Sequence, residues 1–371
     1  MTSTLMQERG MESDIEADAP AHRAGRSGAA LGIAACAVLA GLAFIGALAL
    51  GPVSITPARV LAILGDAFSV PAEEIGRAAR ERMVVLDIRL PRAVLGALTG
   101  AGTAMAGAVM QGVFRNPLAD PGLVGVAPGA ALAAVAWIVL GAPLIEMLPA
   151  GWQSLGLPLA AFLGSLLTTL LIARLAMRGG TMSVATLLFA GLALGALASA
   201  GTGLLVFISS EQQSREFVFW TLGSLGGATW SKVALVAPFV AVLLAIGPLL
   251  ARGLDALALG EAEAFHVGVP VERLKRIAIL AVAAGVGASV AAAGVIGFVG
   301  LVVPHLVRMS LGPGHRVLLP ASALLGVAVL LGADILARLI AAPAELPLGV
   351  VTALVGAPFF LWLLLRRRVI G

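Results

Sequence analysis

RLPRAVLGALTGAGTAMAGAVMQGVFRNPLADPGLVG, residues 89 to 125, decides the fold. Two arginines precede a charge-free run from Ala93 to Phe114, 22 residues long. At about 1.5 Å per residue such a run crosses a hydrocarbon core of about 30 Å. Gly96, Gly100, Gly102, Gly107 and Gly112 thin one face of the helix, so a neighbouring helix can approach closely. The turn Arg115-Asn116-Pro117-Leu118-Ala119-Asp120-Pro121 reverses the chain, and a second apolar run begins at once. Asn116, Pro117, Asp120 and Pro121 are the residue types a tight turn requires. The stretch reads as a helical hairpin in a many-helix membrane protein.

Composition extends that reading to the whole chain. Of 371 residues 60% are hydrophobic and only 12% charged, with a mean hydropathy of +1.03. Soluble domains carry about 25% charged residues. A bilayer leaves no water for backbone groups, so spans are helices or closed barrels, and long uninterrupted apolar runs select helices. The excess of Lys and Arg does not point to nucleic acid, because these residues lie at segment ends and Lys232 and Lys275 are the only lysines. Topology and partner docking account for them better. Cys36, alone in the first apolar run, forms no internal disulfide and reads as a packing residue.

Taken in order, residues 1 to 28 read as a disordered cytoplasmic tail and 29 to 368 as a transmembrane domain. No cleavable signal is evident, so the run from Ala29 past Leu50 is taken as a retained span. Residues 51 to 92 are a polar excursion rich in arginine, with short surface helices expected near 57 to 68 and 72 to 86. Further spans fall near 121 to 140, 155 to 173, 184 to 208 and 233 to 251. From Ile277 to Val307 the chain is charge-free for 31 residues, long for one span and short for two. Gly294, Gly297, Gly300 and Pro304 predict a full span to about 295, a tight break and a short helix from about 298 to 309. Spans near 317 to 340 and 347 to 365 complete a set of ten, which puts both termini on one side. The distribution of Lys and Arg makes that side the cytoplasm, with the arginines of the 51 to 92 loop against the trend. A weak echo is also present. Gly100, Gly107, Pro117 and Gly125 recur 187 residues later as Gly287, Gly294, Pro304 and Gly312, in the sense of an inverted repeat.

Chemistry-bearing patterns are few. There is no phosphate-binding GxxxxGK[ST] loop, no HExxH and no cysteine pair, and so no metal site is expected. His22, His266, His305 and His315 lie far apart, and His305 reads as a packing residue. Asp334 and Arg338 share a helix face, and intramembrane charges mark function by default. A salt bridge near the end of that span is the plainer reading of the pair, and the two are compatible. Arg89 and Arg92 are either an interfacial anchor or a docking face for an acidic partner. Leu254, Leu257, Leu259, Ala262 and Phe265 mixed with Glu261 and Glu263 suit one or two short amphipathic helices at about 254 to 268. Their acidity favours a protein partner over a membrane surface.

RLPR (89 to 92), QGVFRNPLADPGLVG (111 to 125), LALGEAEAFHVGV (257 to 269), GFVGLVVPHLVR (297 to 308), HRVLLP (315 to 320) and AELPLGVVTALVGAPFFLWLL (344 to 364) resemble the permease subunit of type II ABC importers for ferric siderophores, haem and cobalamin. The resemblance covers about residues 30 to 368. It implies an all-α fold of ten spans per subunit, and a homodimer in the bacterial inner membrane with the pathway between its subunits. It further implies two ATPase subunits that hold ATP and Mg on the cytoplasmic side, and a periplasmic binding protein outside. The resemblance also implies that the permease itself catalyses no reaction and binds no cofactor. By the same resemblance Arg89, Arg92 and Arg338 dock the binding protein. Leu257, Leu259, Gly260, Glu261, Glu263, Phe265, His266 and Gly268 couple to the ATPase, and Ser183, Val184 and Ala185 occupy the cytoplasmic gate region. The gate differs from cobalamin permeases, which carry more hydroxyl side chains there.

The motif from Gly112 to Val126, followed by APGAAL, is most similar to haem permeases, and the absence of tyrosine suits an apolar, planar cargo. A ferric-siderophore or cobalamin permease is the nearest alternative. An ATP-independent secondary transporter leaves the coupling-like loop unexplained. An intramembrane serine hydrolase would need Ser289 and His305 within hydrogen-bond reach.

Overall fold

A computed structural model describes residues 19–66, 76–141, 153–342 and 344–367, with three isolated positions between 141 and 153. Among the described residues, ten helices form the bundle: α1 (Ala19–Ala49), α4 (Leu90–Val113), α5 (Val126–Leu140), α6 (Gly156–Ala176), α7 (Val184–Ile208), α9 (Trp230–Leu259), α11 (Val271–Ala293), α12 (Val299–Leu311), α13 (His315–Ile340) and α14 (Leu348–Arg367). Seven are long and apolar enough to cross a bilayer, and α5, α12 and α14 are shorter apolar helices. The connections add α2 (Pro57–Gly65), α3 (Arg77–Met83), α8 (Glu211–Leu222), α10 (Glu261–His266) and a two-stranded hairpin, β1 (Met177–Arg178) with β2 (Thr181–Met182). Successive spans alternate between an Arg92 end and a Lys275 end.

α4 packs against α1, α9, α11, α12 and α13. It is also the most buried span, with 83% of its window enclosed. Its glycines explain why. A Cβ on Gly107 would stand 1.8 Å from the Gly300 carbonyl oxygen of α12, and one on Gly100 2.4 Å from the Gly326 carbonyl oxygen of α13. Backbones meet there, and any side chain would force the helices apart. The helix related to α4 by the sequence echo, α11, is the next most buried, at 78%.

The predicted break in the charge-free run is present. α11 ends at Ala293, Gly294 and Phe298 take positive φ (74° and 67°), and α12 starts at Val299. The backbone groups freed by the break are taken up by protein. Ser224 N–H donates to the Ala293 carbonyl at 2.8 Å.

Three boundaries differ from the sequence reading. α1 begins at Ala19, inside the segment taken as a tail, whose residues 1 to 18 lie outside the described ones. The third span is shorter than expected because Pro121–Val124 form a 3₁₀ turn ended by Gly125 at φ 80°. Leu254, Leu257 and Leu259 belong to no separate amphipathic helix. They continue α9, since nothing interrupts the helix between Pro248 and Gly260 and Leu254 and Leu257 lie on its buried stripe.

Candidate functional site

At the Arg92 end, a π-helical turn (Val84–Arg89) runs straight into α4. The wider winding accommodates Pro91, which lacks an N–H. Arg89 and Arg92 both turn inward and are only 5% and 9% exposed. Arg92 donates to Asp334 through Nε (3.1 Å) and Nη2 (2.9 Å), and to Glu345 through Nη1 (2.8 Å) and Nη2 (2.9 Å). The other Asp334 oxygen meets Arg338 Nε at 3.1 Å, the salt bridge anticipated from their spacing.

Arg89 and Arg338 spend their remaining donors on the C-terminus of α1. Arg89 Nη1 donates to the carbonyls of Leu48 (2.7 Å) and Ala49 (2.9 Å), and Nη2 to that of Val53. Arg338 donates to Leu50 O (2.9 Å) and Ala47 O (3.2 Å). The last carbonyls of a helix have no intrahelical partner and carry the negative end of its dipole, so two guanidiniums are a natural cap. α1 has no basic residue in its own last turn. The arginines assigned to an external partner are therefore bonded within the chain, because α1, Asp334 and Glu345 supply acceptors closer at hand. Exposed cations at this end include Arg77 and Arg215, whose side chains are 87% and 67% exposed, and Arg80.

At the Lys275 end, the Gly179-Gly180 doublet, both with positive φ, turns the β1–β2 hairpin. Ser183 caps α7 by accepting from Thr186 N–H (3.2 Å), and Val184 and Ala185 open that helix. The hairpin was missed from sequence, although a Gly-Gly pair between apolar runs is a recognised hairpin signal. Gly260, at φ 139°, separates α9 from α10; a Cβ there would also lie 2.0 Å from Glu263 Oε2. Leu257 is buried, whereas Leu259, Phe265 and Val267 are 77%, 71% and 72% exposed. Glu263, His266 and Gly268 are exposed beside them. Phe265 borders a recess of about 670 Å³ that Glu261, Glu272, Arg273 and Arg276 also line.

Lys275 is wholly buried, and its ammonium contacts Glu261 Oε2 (2.7 Å), Met182 O (3.2 Å) and Glu272 Oε1 (3.3 Å). Nearby, His315 Nδ1 and Asp255 Oδ1 lie 2.7 Å apart, joining α13 to α9. Arg308 donates to the buried Gln111 at 2.9 Å, joining α12 to α4. Sequence reading singled out none of Lys275, Asp255, Gln111 or Glu345 as functional. Lys275 alone carried a signal, as one of two lysines in an apolar chain.

The predicted turn holds its form. Asn116 Oδ1 accepts from Leu118 N–H (2.9 Å) and Asp120 Oδ1 from Gly122 N–H (2.7 Å). Burial pushes the Asp120 carboxyl up, against that backbone hydrogen bond, which lowers it. Ser289 donates to the Gly285 carbonyl of its own helix (2.9 Å), the ordinary state of a buried helical serine rather than of an activated nucleophile. Among the described residues no three His, Cys, Asp or Glu side chains gather to hold a metal ion.

Residues 28–366 match the FecCD transport family. The chain belongs to that family. It is 47% identical over 283 residues to the hemin transport system permease protein HmuU of Yersinia pestis, covering 76% of this chain and 83% of the relative. It is 44% identical over 303 residues to the cobalamin import system permease protein BtuC of Halobacterium salinarum, covering 82% and 79%. The vitamin B12 import system permease protein BtuC of Klebsiella pneumoniae is 42% identical over 304 residues, covering 82% and 88%. Among solved structures, a metal-chelate type ABC transporter in an inward-facing conformation superposes with a TM-score of 0.75 at 30% identity, over 90% of this chain and 98% of the other. The FecCD chain is thus an ABC importer permease with the type II fold that its motifs resemble.

Proposed function

We propose that this FecCD permease moves haem across the bacterial inner membrane, receiving it from a periplasmic binding protein. ATP hydrolysed on two separate ATPase subunits drives the step, so the chain holds neither ATP nor Mg. The observation that carries haem over cobalamin is the 47% identity to a hemin permease, against 44% and 42% to the cobalamin permeases. Cobalamin is the second reading, favoured by the longer coverage of this chain by those relatives (82% against 76%). A ferric siderophore is a third cargo open to the same fold.

The Lys275 end is the cytoplasmic, ATPase-facing end in this account, which places both termini in the cytoplasm. Support comes from the clustering of Arg115, Arg174, Arg252, Arg273, Arg276, Arg308 and Arg316 there. Support for the ATPase contact comes from the exposed apolar residues Leu259, Phe265 and Val267 beside a charged recess. The binding protein docks at the Arg92 end, where Arg89, Arg92 and Arg338 hold the docking surface in shape from within. A second copy of the chain packs on α7, the least buried long span at 17%, which presents Phe189, Leu192, Leu204 and Phe207 outward.

Stimulation of ATP hydrolysis tests the cargo. In lipid nanodiscs holding the permease and its ATPase, the haem-loaded binding protein is expected to raise hydrolysis above the unloaded form. Stimulation by a cobalamin-loaded binding protein, with none by the haem-loaded one, would transfer the assignment to cobalamin.

A further inference from the structure

Lys275 ties together three segments that the sequence keeps apart. Its ammonium has three donors. One goes to Glu261 on α10, one to Glu272 on its own helix and one to the Met182 carbonyl of the hairpin. Glu272 returns to the same hairpin, accepting from Met182 N–H at 2.7 Å. One turn further on, Arg276 donates to the Gly180 carbonyl at 2.9 Å. The hairpin is joined in turn to α7, since Ser183 N–H donates to Ala176 O (3.1 Å) and Ser183 caps the helix.

Position gives these bonds a consequence. The α10 side of the cluster carries the exposed Phe265, and the hairpin side leads into α7, the least buried of the long spans. A wholly buried ammonium is tolerated only with its partners in place, so a shift of Glu261 that strips it is opposed unless the hairpin follows. We propose that Lys275 is a positioning residue that makes α10 and the Gly179–Ser183 hairpin move as one body, so that a partner seated on α10 acts on the start of α7. The inference rests on the reading of α10 as the ATPase-facing segment.

The test compares the wild type, Lys275→Met and Lys275→Arg in nanodiscs with the cognate ATPase subunit. Hydrogen exchange is followed in residues 177–186 and 261–268 as a non-hydrolysable ATP analogue is added. In the wild type both segments are expected to respond. With Lys275→Met the ATPase still binds and 261–268 still responds, while the response of 177–186 falls about tenfold, within the usual range of coupling between sites. Lys275→Arg, which keeps the charge, restores much of it. If Lys275→Met does not fold, Glu272→Gln, which weakens the contacts of Glu272 with both Lys275 and the Met182 amide, is expected to give the same split. A hairpin response undiminished in the variant that folds would overturn the proposal. Failure of the underlying reading looks different: the ATPase would bind equally well to Phe265→Asp.

Discussion

Arg92 and Asp334 lie 242 residues apart in sequence and 2.9 Å apart in the structure. The pair locks the start of α4 to the end of α13, and Arg338 on the far side of Asp334 extends the lock to α1. Asp334 is 2% exposed. Asp334→Ala leaves two buried guanidiniums without their shared anion, a class of change that costs about 3–5 kcal/mol. Thermal unfolding in detergent is expected to show a strongly destabilised protein, with Asp334→Asn intermediate. An Asp334→Ala protein as stable as the wild type would mean that water reaches the cluster.

Glu345 gives the same cluster a pH dependence. The hydrogen bonds from Arg92 hold its carboxyl below the ordinary range, against partial burial, which pushes it up; the charges of Arg92 and Arg338 assist. A carboxylate whose folded value is depressed contributes stability that is complete above its unfolded value and is lost as pH falls through the folded one. Acidification is therefore expected to loosen the connection after α13. The readout is exchange of the Leu346 amide, which donates to Ala337 O (3.1 Å). With Glu345→Gln that acid-induced loosening should disappear.

Close helix contact makes a steric prediction. Gly107→Ala puts a methyl group against the Gly300 carbonyl, where backbone must move. Overpacking of this kind costs about 1–3 kcal/mol. Gly41→Ala, where nothing lies within 4 Å, is expected to be neutral or slightly stabilising through helix propensity. Equal stability of the two variants, measured by size-exclusion after heating, would contradict the packing of α4 on α12.

Phe265→Asp is expected to abolish co-purification with the ATPase while the spans still insert, because it places a charge at the exposed apolar tip of the Lys275 end. Hot spots of this kind, built on one aromatic anchor, carry about 2 kcal/mol or more of binding.

The spans were legible in the sequence because lipid favours long apolar helical runs, and because Gly294 and Gly297 mark a break that hydropathy alone would miss. The ends of the bundle were less so. Whether Arg89 faces outward or caps α1 depends on where the α1 carbonyls sit, and no local pattern states that. Lys275 likewise meets Met182 and Glu261 only through tertiary folding. The salt bridge from Asp334 to Arg338 was legible because four residues on a helix fix the geometry. The partners that share it, Arg92 and Glu345, come from other elements and left no trace of the pairing in their own neighbourhoods.

The most direct measurement is uptake into proteoliposomes that hold this chain, its ATPase and its binding protein, with haem, cobalamin and a ferric siderophore offered side by side. Haem accumulation that requires ATP and stops when the ATPase is inactivated is the predicted result. Accumulation of haem that continues with an inactive ATPase, or ATP-driven accumulation of one of the other two cargoes alone, would contradict it.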